Sequence, residues 1–290
     1  MIQTKEATLA TIAAQARGFA TIAVHVVPEL ASSHLTEAAA RLAREFDARL
    51  IGIGAEAMET AVVTDPNTGQ VVAEWVAASR EQVQHRLNAA EDAFRRDAAG
   101  VDTEWRAEQA FPNRALVRAG DTADLIVAGP LARGASNYRD ANPAEVVMSA
   151  GRPVLIVPRD GRHLRGQHVV VAWKQTPESR RAVADALPLL KRAKEVIVQA
   201  ICDNDDMDAA AAQTEAVAAA LKRHGVTARA DVRKAHAHDV AAELERVADL
   251  NDADLIVAGA YGHARLREWI FGGVTEELVH DPHRFVLLSH

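Results

Sequence analysis

The 290-residue sequence predicts an α/β protein built from two tandem, open, mainly parallel five-stranded sheets with helices on both faces. Three observations carry that prediction. The heptapeptide ADLIVAG occurs twice, at 123–129 and 253–259, each time after a helical stretch and ahead of a loop, a short helix and an apolar strand. A repeat of that length outranks local signals in setting architecture. The second half alternates short β-branched runs with helix-length amphipathic runs, the order that gives a parallel sheet covered on both faces. Composition permits two cores: 49% apolar and 25% charged residues describe a globular chain of sufficient length.

Residues 1–20 form an arm. MIQTKEATLATIAAQARGF is alanine-rich and lacks a basic start followed by a strongly apolar block, so it reads as a short helix and not as a secretion signal. The first domain, 21–158, opens with strand ATIAVHVV, helix HLTEAAARLAREFDA and strand RLIGIGA. The insertion METAVVTDPNTGQVV carries a turn signal at Asp65-Pro66-Asn67 and loops out. A long amphipathic helix follows at 73–99, then the helical ALVRAGDT, the first ADLIVAG strand and RPVLIVP at 152–158. RDGRHLRGQ, 159–167, is a polar linker.

The second domain, 168–290, begins with HVVVAW, too short and too β-branched for a helix. PESRRAVADALPLLKRA places Pro177 and Glu178 in a helix's first turn. EVIVQAIC is a strand. DDMDAAAAQTEAVAAALKRHG has acids at its start, bases near its end and Gly225 where a helix stops. VTARADVRKA alternates as a strand, HDVAAELERVADLNDA is helical, and the second ADLIVAG and RFVLLSH close the sheet.

Several function classes fall away on composition. A net charge of -7 argues against nucleic acid or an anionic membrane as partner. No apolar run approaches a membrane span. The single cysteine, Cys202, excludes an internal disulfide framework and fits a cytoplasmic, reducing location.

The chemistry concentrates in GAYGHARLREWIFGGVTEELV, 259–279. In an open parallel sheet, ligands bind outside the carboxyl ends of the strands, where strand order reverses. Gly259 closes a strand at such an end, and with Gly262 it lets the backbone pass close to a ligand. Gly272 and Gly273 precede a helix whose first N–H groups are unpaired and favour an anion. Thr275 adds a hydroxyl, as a cap or a phosphate contact, and Arg265 and Arg267 supply positive charge. The same glycines would equally serve a plain turn, and the residues alone leave both readings open. Neither a Walker loop nor a close-packed dinucleotide fingerprint is present.

With its repeat, element order and spaced glycines, the chain resembles a tandem universal stress protein. Nucleotide-binding members of that family carry G-x2-G-x9-G-(S/T) after the fourth strand. Here the run is Gly259-x2-Gly262-x9-Gly272-Gly273, with glycine in the last place, and VTE and GRPVLIVP at 151–158 also match. The resemblance implies a nucleotide-binding, Rossmann-like fold whose halves pair through their last strands, 153–157 with 285–289. That pairing makes an intrachain pseudo-dimer, covers an open edge and leaves room for a homodimer. It implies ATP or a related adenine nucleotide as ligand, magnesium only in company with the nucleotide, and a stress-response binding or regulatory role with weak ATP hydrolysis at most. Where ATP-binding members hold an aspartate at the end of the first strand, this chain has Lys174, preceded by Ala172 and Trp173. Lysine cannot accept a ribose hydroxyl but can meet a phosphate. Ile201 matches a residue lying against adenine. Ala258 and Gly259 match backbone at the fourth strand end, and Val274 and Thr275 follow the loop. The alternative is a non-binding interaction protein in which the glycine loop is structural.

The first half is expected to be a degenerate copy. Asp140 and Ala141 align with Gly272 and Gly273, Pro143 aligns with Thr275, and Pro130-Leu131-Ala132 replaces the first glycine turn. An aspartate at the helix start would satisfy the dipole and repel phosphate, and proline removes a donor. His236, His238, His280 and His283 lack the cysteine pair or H-E-x-x-H of a zinc site and read as exposed helix ends. Cys202 and Trp173 have packing as the simpler role, and no Gly-x-Ser-x-Gly elbow or other catalytic constellation is present.

Overall fold

The computed structural model describes residues 18–27, 33–59, 69–131, 134–161, 163–202, 206–236, 239–260, 273–280 and 282–290. The N-terminal arm up to residue 17 and the turn at Asp65-Pro66-Asn67 lie outside them. The first half runs β1 (Thr21–His25), α1 (Ser33–Phe46), β2 (Arg49–Ala55), α2 (Gly69–Asp97), β3 (Thr103–Glu108), α3 (Pro112–Ala119), β4 (Leu125–Ala128), α4 (Pro143–Ala150) and β5 (Val154–Ile156). The second runs β6 (His168–Ala172), α5 (Pro177–Leu190), β7 (Glu195–Cys202), α6 (Met207–Arg223), β8 (Ala228–Lys234), α7 (Val240–Leu250), β9 (Leu255–Gly259), α8 (Gly273–His280) and β10 (Phe285–Ser289).

The strands form one ten-stranded sheet in the order β3-β2-β1-β4-β5-β10-β9-β6-β7-β8. Neighbours are parallel within each half. The halves meet at the antiparallel pair β5–β10, with Val154 opposite Leu288, Leu155 opposite Leu287 and Ile156 opposite Val286. The two five-stranded sheets thus join through their last strands, and each hides the apolar edge the other would leave open.

Strand alternation divides the core in two. Val24, Leu50, Leu125, Leu155, Val169, Val196 and Leu255 face α1, α2, α5 and α6. Ala23, Ile51, Ile126, Ile156, Val170, Ile197 and Ile256 face α3, α4, α7 and α8. Central strands are therefore buried on both faces, which is why they read as unbroken apolar runs. The aspartate of each ADLIVAG copy has a structural duty. Asp124 accepts the backbone N–H groups of Ala20 and Thr21 at 2.8 and 3.0 Å. Asp254 accepts those of Arg165 and Gly166 at 2.5 and 3.1 Å. Each carboxylate satisfies donors where the chain enters β1 or β6, so the polar stretch 159–167 is tied down at its end.

Two elements differ from expectation. Helix α2 starts at Gly69, not near 73, and Gln70 donates to Glu74 at 3.1 Å within its first turns. Strand β3, TEWRAE, was not foreseen. Its one large apolar residue, Trp105, lies across Gly52 and Gly54 of β2, where a Cβ would come within 2.8 and 2.5 Å of the ring. Phe94 of α2 stacks on the same indole at 5.5 Å.

Candidate functional site

Strand order places β6 beside β9, with Ala172 in register with Ala258 at their carboxyl ends. From there β6 connects to α5 on one face of the sheet and β9 leads toward α8 on the other. That reversal is the switch point at which an open α/β sheet leaves a crevice.

Alternation sorts the candidate residues. Ala172, Ile201, Ala258 and Val274 all lie on the α7–α8 face, with Ala172 beside Ala258 and Gly259 adjoining it. Trp173 points the other way. Its backbone N–H donates to the Gln199 carbonyl at 2.7 Å and its ring packs on the opposite core. Lys174 is exposed in the β6–α5 loop. That loop is held by Thr176, whose hydroxyl accepts from the Ser179 N–H at 3.3 Å and caps α5. Thr275 is buried within the first turn of α8, inside the helix and therefore not its cap. Gly273 begins that helix. Gly262, Gly272, Arg265 and Arg267 lie outside the described residues.

Gly259 has a reason the sequence did not reveal. A Cβ there would stand 2.5 Å from the Ser179 backbone nitrogen and 2.6 Å from the Glu178 carbonyl carbon. The glycine admits the first turn of α5 against the strand end. Its counterpart Gly129 has nothing within 4 Å of that position among the described residues.

Two buried polar side chains mark the corresponding strand ends of the first half. His25 occupies the place of Ala172, pairing with Ile53 as Ala172 pairs with Gln199. Its imidazole is 3% exposed, and Nε2 has no hydrogen-bond partner among the described residues. Burial lowers its pKa from 6.5 to about 4, against an opposing pull from Asp140, so the ring is neutral at pH 7. Glu56, where β7 has Cys202, is buried and receives Arg86 at 2.5 and 2.9 Å and Arg139 at 3.0 Å. The Ala57 N–H donates to the Tyr138 carbonyl at 2.8 Å and pulls the loop before α4 over this pair. The expectation that Asp140 sits on the α4 dipole is corrected. Asp140 accepts from the Ser136 N–H at 2.8 Å, and Asn142 caps α4 by accepting from Ala144 at 3.0 Å. Pro143 at the first helical position has no N–H that needs an acceptor, and the cap falls at Asn142, two residues past the aspartate. The exchange of Ala172 for His25 was legible once VVVA was aligned with IAVH; the ion pairs were not.

Two open α/β sheets with switch-point crevices, fused edge to edge, define a tandem Rossmann-like protein. Residues 166–289 match the universal stress protein family. The family match covers the second half, and the chain as a whole shares the fold of tandem universal stress proteins. A universal stress protein from Archaeoglobus fulgidus DSM 4304 is similar over 94% of this chain and 97% of its own, at 15% identity and a TM-score of 0.68. A protein of unknown function from Pseudomonas aeruginosa PAO1 is similar over 95% and 94%, at 14% identity and a TM-score of 0.58. A universal stress protein from Archaeoglobus fulgidus, solved in complex with dAMP, aligns with 48% of this chain and 98% of its own, at 18% identity and a TM-score of 0.32. No curated protein matches the chain. Among the described residues no helix is long and apolar enough to cross a membrane, and no group of His, Cys, Asp or Glu is placed to hold a metal ion.

Proposed function

We propose that the second half binds an adenine nucleotide, ATP or a close relative, at the carboxyl ends of β6 and β9, and that the first half is a closed, structural copy. The protein then acts in the cytoplasm as a nucleotide-responsive binding module of the stress response, with no chemistry of its own required. The observation that carries this reading is the exchange at the end of the central strand. Ala172 leaves the second crevice floored by small and apolar groups, whereas buried His25 and the Glu56 ion pairs stand at the strand ends of the first. The start of α8 contributes unpaired N–H groups suited to phosphate. Ile201 and Val274 supply an apolar wall suited to a base.

A specific observation favours the second reading, a non-binding interaction protein. Gly259 is required by its contact with α5 whether or not a ligand is present. The two readings separate in one experiment. Protein purified without added nucleotide is denatured and the released small molecules are identified by mass spectrometry. Calorimetric titration with ATP then compares the wild type with Ala172→His and Gly272→Asp, which copy the first half. Nucleotide bound by the wild type and lost in both variants supports the site. A wild type that neither carries nor binds nucleotide leaves the structural reading.

A further inference from the structure

The two ends of the ten-stranded sheet, β3 and β8, are unpaired on their outer sides among the described residues. Trp105 of β3 and Ala228 and Ala230 of β8 pack on the α1–α5 core, so the alternate residues of both strands lie on the other face, beside α3 and α7. On β3 those residues are Glu104, Arg106 and Glu108, and on β8 they are Arg229, Asp231 and Arg233. One edge therefore presents the charge order minus, plus, minus, and the other plus, minus, plus. Their side chains are 29% to 43% exposed.

We infer that β3 of one copy pairs with β8 of another, head to tail, extending the sheet from chain to chain. Because the halves run antiparallel across β5–β10, a second copy that continues the α3–α7 face brings its β3 antiparallel to β8. With Arg106 opposite Asp231, Glu104 meets Arg233 and Glu108 meets Arg229. Edge charge ordinarily prevents strand pairing. Here it prevents only like with like. In a two-fold β3–β3 pair Arg106 would face Arg106 and Glu104 would face Glu108, and in β8–β8 Asp231 would face Asp231. Opposite charges across strands stabilise the pair and like charges oppose it. Within one chain four of the six hold inner partners, Arg49 and Arg118 on the β3 side and Glu195 and Glu243 on the β8 side, while Arg106 pairs with Glu104 and Asp231 with Arg233 along their own strands. Those bonds keep the side chains extended on their face, and backbone hydrogen bonds along the joined edges supply the attraction. A heterologous contact of this kind does not close on itself, so it yields open chains of copies.

Sedimentation velocity of the full chain tests this at low and high salt, alongside Arg106→Glu, Asp231→Arg and the double variant. The wild type should show an average mass that rises with concentration at low salt and falls as salt is added. Each single variant should need a roughly tenfold higher concentration to reach the same mass. The double variant, which sets three acids against three arginines, should regain wild-type association or exceed it. Thermal melts confirm that each variant is folded. A wild type of constant mass at every concentration overturns the proposal, as does a double variant no better associated than the singles.

Discussion

His25 makes stability depend on pH in a calculable way. Its imidazole is fully enclosed, with a pKa lowered from 6.5 to about 4 chiefly by burial. Well above pH 6.5 it is neutral in both folded and unfolded chains and contributes no pH dependence. As pH falls below 6.5 the unfolded chain takes up a proton that the folded chain refuses until about 4, so stability is lost across that window. The loss comes to about 2 kcal/mol by pH 5 and to about 3 kcal/mol below pH 4. The perturbation is His25→Leu, close in volume and uncharged at every pH. Urea unfolding of both proteins, from about pH 7.5 to about pH 4.5, gives the difference directly. Subtracting the profiles removes other groups, including Asp97, whose partly desolvated carboxyl has a raised pKa and acts in the opposite sense. The wild type should lose about 2 kcal/mol more than the variant between pH 7.5 and pH 5. Parallel profiles would refute a buried, neutral His25, and with it the reading of the first half as a closed copy.

Two further outcomes follow from the same geometry. Glu56→Ala removes the buried carboxylate that Arg86 and Arg139 share and should cost about 3 to 5 kcal/mol in chemical unfolding, whereas an exposed pair such as Arg192–Glu45 should change stability by less than about 1 kcal/mol. Gly259→Ala puts a methyl carbon against the α5 backbone and should destabilise by about 1 to 3 kcal/mol, while Gly129→Ala, which meets nothing within 4 Å among the described residues, should be near neutral. Equal effects at the two glycines would show that the α5 contact is not what Gly259 serves.

The second half was legible because its strands are compact apolar runs and its helices carry start and stop signals, as at Pro177 and Gly225. Strand β3 was not, since one tryptophan among charged residues gives no apolar alternation. Its identity depends on Gly52 and Gly54, which lie 50 residues upstream and make the floor for the indole. The anion-loop candidates were found by glycine spacing, but spacing does not say what surrounds a glycine, and Gly259 answers to a helix. The ion pairs of Glu56 join residues 30 and 83 positions away, beyond any local pattern. Asp140 was misplaced because the cap depends on where α4 begins, which only the fold decides.

The seam between β5 and β10 has a consequence for synthesis. Val154 and its partner Leu288 are separated by roughly 130 residues, so the Val-Leu-Ile edge of the first half emerges from the ribosome long before its cover. At ordinary rates of translation that interval is on the order of ten seconds. During it, a nearly complete half-sheet exposes three apolar residues with unpaired backbone groups, the kind of template on which nascent chains aggregate. The order of the halves is thus a hazard in time, and chaperone dependence of the nascent first half is its expected mark.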